Sequence, residues 1–110
     1  MGLFDFLKTP GSGADINEAV KEFQEKDGAW LIDVREADEY HSGHITGSIN
    51  LPVSSLGTAA LPFEDKDTPL YVYCLTGARS GRAVRWLQSI GYTDVRNIGG
   101  INAWRGPIEH

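Results

Sequence analysis

The residues that could do chemistry lie together in Cys74-Leu75-Thr76-Gly77-Ala78-Arg79-Ser80. Cys74 is the only cysteine of the chain, with a glycine three positions on and an arginine five positions on. Ahead of it, Leu70-Tyr71-Val72-Tyr73 is short, aromatic and β-branched and is opened by Pro69, as suits a buried parallel strand. Behind it, Ala83, Val84, Leu87 and Ile90 recur at helical spacing, and Gly91 supplies a stop. Strand, tight loop and helix together place the thiol at the carboxyl end of a strand and beneath a helix N-terminus. Unpaired N–H groups and the helix dipole favour an anion there. A thiolate is such an anion, and a thiol of ordinary pKa about 8.5 falls to roughly 3.5–7.5 in this setting. Arg79 and Arg82 add positive charge. Arginines in the first turns of a helix oppose its dipole, so a local anion accounts for them most economically. A small buried cysteine without chemistry is the competing reading. The glycine, the arginine and the strand-to-helix context favour the reactive one.

The elements that must position this loop follow from pattern. Asp15, with Glu18 three residues on, reads as a helix start, and Ile16, Ala19, Val20 and Phe23 form one apolar face ended by Gly28. Trp30 to Val34 is an apolar strand, so Asp33 and Arg35 fall at the carboxyl edge of a sheet, where open α/β folds build their sites. Residues 36–42 predict one short polar helical turn stopped by Gly43. Asp33, Arg35 and Glu39 are expected to form an ion-pair network that fixes this loop, in preference to direct catalysis. His41 and His44 lack a third and fourth ligand of suitable type nearby, so no metal is expected and His44 is assigned to turn hydrogen bonding. Ser48 to Leu51 is a strand ended by Pro52; residues 53–62 read as loop or short helix, and residues 64–69 as a solvated turn. Val95 to Ile98 is the last strand, Gly99-Gly100 a turn, and Trp104 a cap on the core. Strands alternating with helices imply an α/β fold, a single doubly wound domain with a mainly parallel central sheet flanked by helices.

At 110 residues, 41% hydrophobic and 23% charged, the composition is that of one soluble globular domain with a real core. The net charge of −5 argues against nucleic-acid and anionic-membrane partners, and Arg79, Arg82 and Arg85 stand out against it. One cysteine permits no internal disulfide and no multi-cysteine metal site, and it fits a reducing compartment. No apolar run reaches the length of a membrane span and the N-terminus is unlike a signal peptide, so a cytoplasmic location is expected. Leu3, Phe4, Phe6 and Leu7 make an apolar start. Phe6 occupies the place where a myristoylation motif wants Ser or Thr, so residues 1–13 read as a frayed tail and flexible linker before a domain over residues 14–107.

Three ordered segments carry a resemblance. Cys-x-x-Gly-x-Arg-Ser at 74–80 resembles the active-site loop of the rhodanese-like sulfurtransferases. Asp33-Val34-Arg35-Glu36-Ala37-Asp38-Glu39-Tyr40-His41-Ser42-Gly43-His44-Ile45, running on to Gly47-Ser48-Ile49-Asn50-Leu51-Pro52, resembles the family's upstream signature, and Gly99-Gly100-Ile101-Asn102-Ala103-Trp104 its closing one. The resemblance implies about five strands and a two-step sulfur transfer with no cofactor. Cys74 takes a sulfane sulfur from a donor such as thiosulfate or a persulfide, and passes it to a thiol or cyanide. A thioredoxin-like or persulfide-carrying protein is a possible partner. Loop N–H groups from Thr76 to Ser80, including those of Gly77, Ala78 and Arg79, would ring the persulfide beside Leu75. The Ser80 hydroxyl would either bond the sulfur or cap the helix, and Asp33, Arg35 and Arg82 would support the loop. Two positions depart from the tandem-domain thiosulfate enzymes of that family: Thr76 replaces a lysine and Glu39 an arginine. These leave the donor open between thiosulfate and a protein persulfide. Two alternatives are a non-catalytic binding or regulatory module of the same fold and a phosphatase or arsenate reductase. The last has five residues between Cys and Arg, where this chain has four.

Overall fold

Asp15 opens the computed structural model, which describes residues 15–110; the expected tail and linker over residues 1–13 lie outside the described residues. The Asp15 carboxylate accepts the Asn17 N–H at 2.9 Å and caps α1 (Ile16–Glu25). Ile16 and Val20 of the expected apolar face are buried, with Ala19 and Phe23 packed beside them. Gly28, at φ +77°, turns the chain into β1 (Trp30–Asp33). There follow α2 (Ala37–His41), β2 (His44–Ile45), β3 (Ser48–Asn50), a 3-10 turn at Val53–Ser55 and β4 (Leu70–Cys74). The chain continues through α3 (Ala78–Ser89), β5 (Val95–Gly100), a 3-10 turn at Ile101–Ala103 and β6 (Ile108–Glu109). None of the described helices is long and apolar enough to cross a membrane.

The central sheet runs β3-β1-β4-β5, and every pairing in it is parallel, as a doubly wound α/β fold requires. It has four strands where about five were expected. The remaining two form a separate antiparallel ribbon, with His44 opposite Glu109 and Ile45 opposite Ile108. Each is two residues long, too short for an alternating pattern to announce it.

Alternation along β4 decides where the cysteine points. Leu70, Val72 and Cys74 face one layer, which holds Ala83 and Leu87 of α3; Tyr71 and Tyr73 face the other, which holds Ile16 and Val20 of α1. Cys74 therefore emerges under α3. Ile90, expected on the apolar face of α3, lies past its end and is exposed.

The strand beside β4 is shaped to receive the loop. Val72 pairs with Asn97 but Tyr73 pairs with Gly99, so β5 carries one extra residue, Ile98, in a bulge. The bulge brings Gly99 and Gly100, expected as a turn, into the strand beside Tyr73 and Cys74. A Cβ on Gly100 would collide with the Leu75 carbonyl and with Thr76. Gly100→Ala is therefore expected to lose about 2 kcal/mol of stability or more. Urea denaturation measures it; an unchanged midpoint would show that the loop yields freely.

Candidate active site

The Cys74 sulfur sits at the bottom of the loop, 1% exposed. Gly77 is the N-cap of α3 with φ +111° and ψ −9°, a left-handed backbone that only glycine adopts without strain. That conformation aims the Gly77 N–H at Cys74 Sγ, 3.0 Å away. The Ser80 hydroxyl stands 3.4 Å from the same sulfur and is fully buried. Burial pushes the Cys74 thiol up. The Ser80 hydroxyl and the N–H groups of Ser80, Gly77 and Thr76 more than offset this, so the thiol lies below its ordinary value.

Of the residues expected around the loop, Leu75, Thr76 and Ala78 form its exposed rim. Arg79 is engaged by α2: its Nη1 and Nη2 donate to Glu39 Oε1 and Oε2 at 2.7 and 3.1 Å. Glu39 Oε1 also accepts the Glu36 N–H at 2.9 Å. Hydrogen bonding from Arg79 is the main reason that the Glu39 carboxyl is held down to about 2. A carboxyl depressed in the folded state stabilises it above the unfolded value of 4.5, and that contribution is lost as pH falls toward about 2. Both side chains are about a third exposed, so the pair is worth below about 1 kcal/mol. Glu39 is the leading influence on Arg79, and the Cys74 sulfur is a lesser one. The thiolate's support therefore comes first from hydroxyl and N–H donors, with Arg79 second. Arg82 is exposed on α3 and has no ion-pair or hydrogen-bond partner among the described residues.

Asp33 and Arg35 form part of the expected network; Glu39, expected to join them, pairs with Arg79 instead, because Arg35 is already engaged by the Asp33 carboxylate and the Gly43 carbonyl. Asp33 and Arg35 are both buried, and Arg35 Nε lies 3.0 Å from each Asp33 carboxylate oxygen, with Nη2 at 2.6 Å from Oδ2. Arg35 Nη2 also donates to the Gly43 carbonyl at 2.8 Å, and Asn50 Nδ2 donates to the Asp33 and Arg35 carbonyls. This pair fixes the segment that presents Glu39 and does not touch the sulfur. His44 Nδ1 lies 2.8 Å from the Tyr40 carbonyl, and its ring stacks on Tyr40. Trp104 packs against the α1-side core and donates its ring N–H to the Pro107 carbonyl at 3.0 Å.

Asn97 was not singled out from the sequence. Its Oδ1 accepts from the Ser80 hydroxyl at 2.7 Å and from the Gly99 N–H at 3.0 Å, and its Nδ2 donates to the Gly77 carbonyl at 2.9 Å. An asparagine in a strand has no local signature for such a role; only the parallel pairing of β5 with β4 brings it there. A hollow of about 430 Å³ is lined by Gly77, Arg85, Gln88 and Asn97 among others, and Cys74 does not line it.

Residues 16–107 match the family model of the rhodanese-like domain. The chain is 43% identical to the uncharacterized protein YqhL of Bacillus subtilis, over 74% of its own length and 64% of that protein's. It is 39% identical to the thiosulfate sulfurtransferase PspE of Escherichia coli, over 64% of this chain and 68% of that one. Among solved structures, the Alr3790 protein of Anabaena superposes with a TM-score of 0.76 at 30% identity, over 87% of this chain and 79% of the other.

The ranking of donors predicts a ranking of variants. Ser80→Ala is expected to raise the Cys74 pKa by roughly one pH unit, the worth of one hydrogen bond to an ion. Arg79→Ala is expected to raise it by less. Thiolate ultraviolet absorbance followed against pH measures both, and the reverse order would return the leading role to Arg79.

Proposed function

The chain belongs to the rhodanese-like domain family, and on that premise we propose that it is a sulfurtransferase carrying sulfane sulfur as a Cys74 persulfide. The observation that supports this most is the cradle itself: a buried sulfur facing the Gly77 N–H at 3.0 Å, at the N-terminus of α3. A preformed backbone donor such as the Gly77 N–H stabilises charge on sulfur without reorganising.

In the first step the Cys74 thiolate attacks the outer sulfur of the donor. With thiosulfate, a Cys74 S–S bond forms, the donor S–S bond breaks, and sulfite leaves with the electron pair. The outer persulfide sulfur then carries the negative charge. Donors on Thr76, Gly77 and Ser80 serve this anion as they serve the thiolate. In the second step a nucleophile attacks that outer sulfur. Cyanide leaves as thiocyanate, or a thiolate leaves as its persulfide, and Cys74 returns to the thiolate. Because Cys74 is buried, a donor must present a slim terminal sulfur. With no second cysteine in the chain, the sulfur leaves to an external acceptor. A small thiol, a thioredoxin-like dithiol or a persulfide-carrying protein fits that role.

Glu39 bears on the donor. Its carboxylate engages the one cation of the loop, which weakens attraction for a dianion such as thiosulfate. A less charged persulfide suffers less from this, so we favour a persulfide as the physiological donor.

Mass spectrometry tests the central step. Protein treated with thiosulfate or a small-molecule persulfide should gain the mass of one sulfur atom, and Cys74→Ser should gain none. No gain from either donor would return the chain to a binding module. Glu39→Gln removes the charge and keeps one of the two acceptors, so it holds at most one of the two Arg79 hydrogen bonds and frees the Arg79 charge. Its kcat/KM for thiosulfate is expected to rise roughly three- to tenfold, the worth of a partly screened charge. An unchanged or lower value would remove Glu39 from donor selection.

A further inference from the structure

The Ser80 hydroxyl owns one proton and has two acceptors within reach: Asn97 Oδ1 at 2.7 Å and Cys74 Sγ at 3.4 Å. The orientation of the Asn97 amide is fixed from both sides, because Gly99 donates its N–H to Oδ1 and Nδ2 donates to the Gly77 carbonyl. A flipped amide would set donor against donor at Gly99 and acceptor against acceptor at Gly77. Oδ1 cannot donate, so the 2.7 Å contact holds the Ser80 proton. While Cys74 is a thiol, its S–H is free to donate back to Ser80 Oγ, and the chain S–H to O–H to amide is complete. Once the proton has left Cys74, the sulfur only accepts. The same hydroxyl would then turn a lone pair toward a negative charge unless its proton swings over.

We propose that Asn97 is a positioning residue that holds the Ser80 proton until Cys74 ionises, and yields it to the sulfur at that point. The proposal rests on the sulfur chemistry above for its purpose, though not for its test. The Asn97 amide keeps the Gly99 N–H when Ser80 turns away, so its carbonyl is not left bare. The price of the swing is that Asn97 opposes ionisation while it also clamps Gly77. The charged groups around the loop are Arg79 paired with Glu39, Glu36 behind them, the Asp33–Arg35 pair, and Arg82 and Arg85 farther along α3. None of these side chains hydrogen-bonds to Ser80 or Asn97 among the described residues.

The test is a double-mutant cycle read by thiolate absorbance against pH, with no turnover required. Asn97→Leu removes the competing acceptor, so the Cys74 pKa is expected to fall by roughly one pH unit. Asn97→Leu added to Ser80→Ala is expected to leave the Ser80→Ala value where it is, since no proton remains to compete for. A rise in Asn97→Leu, or an equal shift with and without the Ser80 hydroxyl, would make Asn97 a structural clamp alone and overturn the proposal. If Asn97→Leu does not fold, the intact protein decides. The Asn97 side-chain amide NMR signals should move with the Cys74 titration and cease to move in Ser80→Ala. Signals that stay still in the wild-type protein, or move equally without the hydroxyl, would overturn it. Failure of sulfur loading with this titration intact would count against the sulfurtransferase reading only.

Discussion

A negative charge on a sulfur that is almost out of water must be surrounded by donors, and the rest of this small domain is arranged to supply them. Burying an unpaired charge costs several kcal/mol, more than any one hydrogen bond returns. Cys74 therefore depends on several donors at once, all from the segment Thr76 to Ser80. That segment can converge on one atom only because Gly77 takes a left-handed backbone and because Gly100 lets the loop lie against β5. The bulge at Ile98 sets both glycines of β5 in place, and Asn97 ties the loop carbonyl and the Ser80 hydroxyl to the same strand. Sheet register and site geometry are one constraint.

Charge plays a different part from the one its sequence position suggests. Arg79 is close to the sulfur along the chain, yet its guanidinium is engaged by Glu39 from α2. The buried Asp33–Arg35 pair in turn holds the segment that carries Glu39, through the Gly43 and Asn50 hydrogen bonds. Removing one partner of such a buried pair would leave the other uncompensated, at a cost of about 3–5 kcal/mol. The outcome is a cradle in which neutral donors favour the anion while the cation at its rim is balanced. Such a site discriminates by shape and hydrogen bonding more than by net charge.

The loop was legible because its signal is local. A lone cysteine between a buried strand and an amphipathic helix, with glycine and arginine at short spacing, needs no knowledge of distant residues. The parallel α/β architecture and the Asp33–Arg35 network were legible for the same reason: period, edge position and a two-residue separation. What stayed hidden depends on contacts far apart in sequence. Glu39 and Arg79 are separated by 40 positions, and Ser80 and Asn97 by 17. The β2–β6 ribbon is two residues wide on each side and carries no periodicity. Ile90 kept the helical spacing but fell beyond the helix end, where spacing no longer implies burial.

The claim that this cradle holds one transferable sulfur between two half-reactions is tested most directly by separating them. The protein is charged with donor, freed of donor by gel filtration, and followed for release of sulfide or of acceptor persulfide. The account predicts that the sulfur stays on Cys74 until an acceptor is added and then leaves in one stoichiometric turnover. Prompt discharge without acceptor, or transfer only when donor and acceptor are present together, would contradict it.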